Sequence, residues 1–412
     1  MRSQYSYRPR IEALEDRAVP ATISVVSGNL FISNPAGALT ITPQGAGAVK
    51  VADGASTVTV SGVGNGIFVT GSTKADTITL DASTAFAGNV TINGGNGNDT
   101  INLKGTIGGN LTVLGGLGDE TVNVTGALDV GGALTVAGGA GSNDFLMTAK
   151  AIIDGSAALS GINELTLNAN KLEVGTNLTV SAPASGSTLN FTSAAGSELL
   201  VGKALSVAGN AGADTVTLAG KIEVGGSASL SLGAGNNALT LTPDAASTFS
   251  GALTYTGGTG VDTLTTGANL TLAGPTTLNL GAGNNVFTSG AVTANGNFTI
   301  NGGNGNDTLT FDTAVLNASV FLNLGNGDNT TTFNVAPAGL LSLVAGNGTN
   351  TFNIAPAAAA TFAVDLLFGS GNNTVNLNAD TTITGRLIGG TGTNTLNQNS
   401  ATILAPWLQM GF

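Results

Sequence analysis

The chain contains no cysteine and no histidine, and only 5% of its 412 residues are aromatic, with a single Trp and three Tyr. Without Cys there are no disulfides, no thiol nucleophile and no thiolate metal site. Without His there is no imidazole to serve as a general base near neutral pH or as a metal ligand. Tyr5, Tyr7 and Trp407 lie near the two ends of the chain, so its interior cannot assemble the aromatic platform that a sugar-binding cleft uses. The scarcity of large rings also predicts a thin core. Charge is scarce too, at 9% of residues with a formal net charge of -12. Four of the five Arg fall in the first 20 residues, and beyond them Arg386 and seven Lys face 21 acidic residues. A surface of that sign repels nucleic acid, anionic lipid and acidic polysaccharide. No apolar run approaches the length of a membrane span.

What the chain does contain is glycine, 63 residues of it, beside a hydrophobic fraction of 42%. That much Gly without a three-residue period excludes collagen, and the apolar fraction is too high for a disordered chain. The glycines mark a repeat. The stretch Asn93 to Leu103, Asn-Gly-Gly-Asn-Gly-Asn-Asp-Thr-Ile-Asn-Leu, returns almost letter for letter at Asn301 to Thr310. Looser copies end at Asp76, Glu120, Asn143, Glu164, Asp214, Asn237, Asp262, Asn285, Asn329, Asn350, Asn373 and Asn394. Outside a degenerate stretch, successive copies lie 21 to 25 residues apart. A fixed period in this range is the signature of a solenoid.

Each corner precedes a short strand of alternating Thr and apolar residues, and two further alternating pieces complete the period, as in Leu111 to Leu114, Thr121 to Val124 and Ala127 to Val130. Alternation with β-branched residues marks strands with one buried face. Three such strands per period predict an all-β fold, a right-handed parallel β-helix with three sides, about 22 residues per coil. A second recurring glycine, at Gly108, Gly131, Gly155, Gly175, Gly202 and Gly225 among others, is expected where the chain turns with positive φ or packs closely on the coil below. The predicted organisation is a distinct N-terminal segment over 1–21, the β-helix over 22–400 with irregular coils at about 145–213, and an apolar cap over 401–412 in which Trp407, Leu408 and Phe412 plug the open end.

The N-terminal segment has basic residues but no apolar stretch long enough for a secretory signal. Its run Leu14-Glu15-Asp16-Arg17-Ala18-Val19-Pro20-Ala21 resembles the N-terminal motif of exported and cell-surface proteins of planctomycete bacteria, which implies export or surface attachment and no particular activity. The same residues could instead form a polar cap over the first coil.

Two chemistries compete at the corners. Gly94 to Ile101 and Gly302 to Leu309 resemble the calcium-binding nonapeptide of the RTX proteins, GGxGxDxUx, and this implies calcium held by Asp76, Asp99, Asp214, Asp262 and Asp307. In that family the nonapeptides run in tandem, whereas here one corner occurs per coil, and half of the corners close with uncharged Asn. A column of Asn is explained without metal as a ladder of amides bonded from coil to coil. No set of catalytic residues emerges. Carboxylates at the corners and a group at Lys171, Glu198 and Lys221, expected to stack on one face, are the remaining candidates for an interaction face or for a polysaccharide-acting site. The expectation is a non-catalytic extracellular structural or adhesin-like rod without a cofactor, its partners being cell-surface polysaccharide, other surface proteins or further copies of itself. A calcium-binding version of the same rod and a β-helix enzyme are the alternatives.

Overall fold

The computed structural model describes residues 20–168, 171–191, 196–378 and 380–412, with only the backbone path given for 405–406. It is an all-β parallel solenoid, and no helix occurs among the described residues. One coil shows how it is built. Leu134–Ala140 forms the first side, Asp144–Met147 the second and Ala151–Ile153 the third, after which Ala157–Ser160 begins the next coil. Along each strand alternate side chains point inward: Leu134, Val136, Phe145, Met147, Ala151 and Ile153 are buried. The next coil lies in parallel register, with Leu134 beside Ala157, Phe145 beside Leu165 and Ala151 beside Leu172.

The first side continues through the molecule as one sheet of 18 strands. On the early coils the second and third sides run together as single bent strands, Thr77–Phe86, Thr100–Ile107 and Thr121–Val130, and further along they separate. The third side thins to two residues at Thr293–Ala294 and Val315–Leu316. The interior is a continuous stack of Val, Ile and Leu, joined in the later coils by rings. Phe287, Phe311, Phe333 and Phe352 form a column in which Phe311 and Phe333 stack at 4.3 Å. Every buried side chain of that size contributes about 1.5–3 kcal/mol over its exposed state.

Close coil packing explains the second recurring glycine. A Cβ on Gly202 would sit 2.2 Å from the Gly175 carbonyl oxygen, and one on Gly225 would sit 2.3 Å from that of Gly202. Neither has positive φ, so of the two reasons expected for this glycine the close approach is the operative one. At the corners both apply: Gly305 has φ 141°, and its Cβ would meet the Gly283 carbonyl oxygen at 1.8 Å.

The ends depart from the coil pattern. Parallel coiling does not start cleanly at residue 22. Thr22–Val26 folds back antiparallel on Asn29–Ser33, and Ala38–Gly45, Ala48–Asp53 and Ser56–Val60 form an antiparallel meander. Buried Asp53 ties these pieces together by accepting the backbone N–H groups of Ala21 and Ala36. The proposed role of 1–21 as export motif or cap falls, up to residue 19, outside the described residues. At the other end Thr402–Met410 adds one more parallel strand on Thr381–Ile388. Trp407 and Phe412 pack against the core there, Phe412 on Phe368 at 5.7 Å. Leu408 points the other way and is 49% exposed, because strand alternation sends it to the outer face.

Candidate functional site

The closing residues of the corners turn into the solenoid and form a column that is buried except at Asn163 and Asn394, which are partly exposed. Register places Asp76, Asp99, Glu120, Asn143, Asn163, Ser187, Asp214, Asn237, Asp262, Asn285, Asp307, Asn329, Asn350, Asn373 and Asn394 at one point of successive coils. The expectation of Glu164 in this series is corrected by one residue. Glu164 pairs with Asp144 and faces outward, while Asn163 takes the column position. The coils there are irregular, 20 residues from Asn143 to Asn163 and 27 from Ser187 to Asp214, so spacing alone misplaces the member.

The bonding follows one rule. Except at Glu120, Ser187 and Asp214, the side-chain Oδ1 of a member accepts the backbone N–H of the member one coil earlier: Asp76 to Asp99 at 2.8 Å, Asp214 to Asn237 at 3.0 Å, Asn285 to Asp307 at 3.0 Å and Asn373 to Asn394 at 3.0 Å; the Ser187 hydroxyl donates to Asp214 at 2.7 Å instead. Where the member is Asn in the regular coils, its amide then donates to carbonyls of its own corner, as Asn350 does to Gly346 and Gly348, and Asn373 to Gly369 and Gly371; Asn163 donates to the Ser185 hydroxyl instead. Asn therefore satisfies both the coil below and the corner it closes, and buried polar groups need such partners. In the last coils the amides also bond to one another, Asn350 to Asn373 at 2.9 Å and Asn373 to Asn394 at 2.9 Å.

Asp fits the first half of this rule and strains the second. Oδ2 of Asp76 accepts the Ser72 N–H, that of Asp214 accepts the Asn210 N–H, and that of Asp262 accepts the Tyr255 hydroxyl at 2.9 Å. Oδ2 of Asp99 and of Asp307, and both carboxyl oxygens of Glu120, are buried without a protein partner. Desolvation pushes the carboxyls of Asp99, Asp262 and Asp307 upward, against the backbone N–H bonds that pull them down, with Asp307 at about 6. Glu120 rises to about 7, through burial first and then the charges of Asp99 and Asp119. Tyr255 is also pushed up, by its burial and then by the neighbouring Asp262. Tyr255 carried no signal in sequence beyond being the one tyrosine inside the repeat array.

The five Asp expected to hold calcium are thus brought into one column, but only Asp76 and Asp99 are on adjacent coils; Asn237 and Asn285 separate Asp214, Asp262 and Asp307. Among the described residues no group of three or more acidic side chains is placed to hold a metal ion.

The Lys171, Glu198 and Lys221 row is present. Glu198 pairs with Lys221, and Leu172 with Leu199, which sets Lys171 beside Glu198. Its ion pairs run along the strand, Lys171 to Glu173 at 2.8 Å and Lys221 to Glu223 at 2.8 Å. A groove of about 470 Å³ lies alongside, lined by Glu173, Leu200, Gly202, Glu223, Thr248 and Ser250. Each Lys of the row is thus paired with the Glu two residues along its own strand.

A second outer surface is more regular. On the second side, Thr215, Thr263, Thr308, Thr330, Thr351, Thr374 and Thr395 stand in one outward row, interrupted by Ala238 and Val286. Two residues along each strand a parallel row carries Thr217, Thr240, Thr265, Thr288, Thr310, Thr332, Asn353, Asn376 and Asn397. Neither row contains a charge. Amide bonds tie its last members, Asn353 to Asn376 and Asn376 to Asn397, each at 2.7 Å.

No protein-family model matches the chain, and no curated protein matches its sequence.

Proposed function

We propose that the chain is a non-catalytic extracellular rod, a structural or adhesin-like surface protein that presents its Thr and Asn rows to a repeating partner. The observation that carries this reading is the paired, uncharged rows running from Thr215 to Asn397. Parallel strands repeat every ~4.8 Å, so hydroxyl and amide groups recur at that interval on a backbone fixed by the coils beneath. Single contacts of this kind are weak, and a linear array gains affinity by engaging many at once. A net charge of -12 disfavours acidic polymers, which leaves neutral cell-surface polysaccharide or another rod of the same kind as partner. The N-terminal resemblance to planctomycete surface proteins agrees with an exported location.

Co-sedimentation of the full chain with insoluble neutral polysaccharides, together with its own sedimentation profile, tests the proposal. Binding or lateral association should fall when Thr265, Thr310 and Thr332 are all changed to Lys, with the melting temperature little altered because these side chains face outward. A wild-type chain that remains monomeric and binds none of the polymers would overturn the reading.

A further inference from the structure

Among the described residues, seven of the fifteen exposed large apolar side chains lie on the last five strands of the first side, from Val320–Gly325 to Thr402–Met410. One outward row makes the centre of this patch. It reads Asn279, Asn301 and Asn323 on earlier coils and then changes to Val344, Leu367, Ile388 and Met410. Val344 is 43% exposed, Leu367 40% and Met410 55%, so an aliphatic stripe stands on the surface where the coils before it carry amides. The adjoining outward row holds Ser342, Asp365, Arg386 and Leu408. Arg386 and Asp365 form an ion pair of two hydrogen bonds, with Nη2 donating to Oδ2 at 2.7 Å. A contiguous apolar stripe on a folded surface marks a place of interaction.

The order of residues along the rod says what covers it. We propose that the occupant is a second copy of this chain, docked face to face and antiparallel about a two-fold axis that runs along the strands midway between Ala360–Phe368 and Thr381–Ile388. That axis sets Asp365 opposite the partner's Arg386, and Arg386 opposite the partner's Asp365. In the stripe it sets Leu367 opposite the partner's Ile388, and Val344, the smallest member, opposite the partner's Met410, the longest. An isologous interface requires this kind of self-complementarity. A two-fold along the rod would instead bring Asp365 level with the partner's Asp365 and Arg386 level with the partner's Arg386, so charge selects the antiparallel arrangement. Because Arg386 and Asp365 already neutralise each other, covering the face leaves no charge unpaired.

Five strands about 4.8 Å apart, each contributing some six residues at about 3.3 Å, give a face of roughly 400 Å² on each copy. Two such faces make an interface at the small end of the specific range, where partners are weak and reversible. Only the last coils overlap, so the dimer is nearly twice as long as one rod. The face lies on the first side, and the association is therefore independent of the Thr and Asn rows on the second.

The test is sedimentation of the full chain over a concentration series reaching the high micromolar range, beside small-angle X-ray scattering for length. Wild type should dimerise reversibly while its maximum dimension grows towards double. Leu367→Lys together with Ile388→Lys should weaken the dimer by at least about tenfold, with the melting temperature little altered because both side chains face outward. Asp365→Arg alone and Arg386→Asp alone each set like charges against one another across the axis, and each should stay monomeric. Mixed in equal amounts the two should dimerise, since every facing pair is again of opposite sign. The triple change of Thr265, Thr310 and Thr332 to Lys should leave the dimer intact. A wild type that stays monomeric throughout, or a dimer no longer than one rod, would overturn the proposal. So would a dimer that survives the Leu367 and Ile388 changes, one lost with the Thr changes, or a mixture no more dimeric than its components.

Discussion

The coils near Asp99 and those near Asn350 share one backbone plan and handle the same buried position in opposite ways. In the first group three acids follow one another, Asp76, Asp99 and Glu120, all buried. Further along, Asp262 and Asp307 are separated by Asn285, and from Asn329 to Asn394 every member is Asn. Adjacent carboxylates about 4.8 Å apart repel and share one low-dielectric interior, whereas Asn meets the same hydrogen-bonding demand without charge. Outer faces carry an ion pair in both regions, Lys104 to Asp81 at 3.0 Å in the early coils and Arg386 to Asp365 in the later ones, where it stands beside the uncharged Thr and Asn rows. Cores diverge as well, with aliphatic side chains around Leu103 and stacked rings around Phe333. The lesson is that a solenoid's backbone tolerates a change of chemistry from coil to coil so long as each column satisfies its neighbours.

Breaking the core should have the largest effect. Phe333→Ala removes a fully buried ring stacked on Phe311 and should cost about 3–5 kcal/mol, read by denaturant unfolding; Leu103→Ala, at the matching point of an early coil, should cost about 2–5 kcal/mol. Next comes the column. Asn350→Ala deletes the acceptor for both the backbone N–H and the amide of Asn329, and the donor to Gly346 and Gly348. Leaving buried groups unpaired should cost roughly 2–4 kcal/mol, with amide hydrogen exchange rising first around Asn329. Glu120→Asn should act the other way. It removes a buried acid whose two oxygens have no partner and supplies the amide used elsewhere, so the early coils should gain about 1 kcal/mol, more as pH rises through about 7. The smallest change is expected from Lys104→Ala, which breaks a partly exposed ion pair worth about 0.2–1 kcal/mol and screened by salt.

Much of this architecture was legible in the chain because a solenoid repeats its instructions. Gly94 to Ile101 announces a corner and then a strand, and the alternation in Thr121 to Val124 states which side chains go inward. The column was legible where coils keep their length, as from Asp262 to Asn394. It was not legible at Asn163 and Ser187, where coils of 20 and 27 residues shift the register and only the pairing of strands reveals the member. The Lys171 to Lys221 row was placed correctly by alignment on its glycines. Its bonding partners, Glu173 and Glu223, depended on which way long side chains lean along the strand.

By itself the sequence determined the period, the corners and the inward face of each strand, because these follow from local glycine conformations and two-residue alternation. Tertiary structure alone decided which oxygen of each acid meets a donor. That contact lies one coil away for Oδ1 and within the folded corner for Oδ2, and it distinguishes Asp262, served by Tyr255, from Asp307, which has no donor on Oδ2. It also decided that the antiparallel strands from Thr22 to Val60 would close the first coil, since a turn-rich run reads alike whether the chain coils onward or folds back.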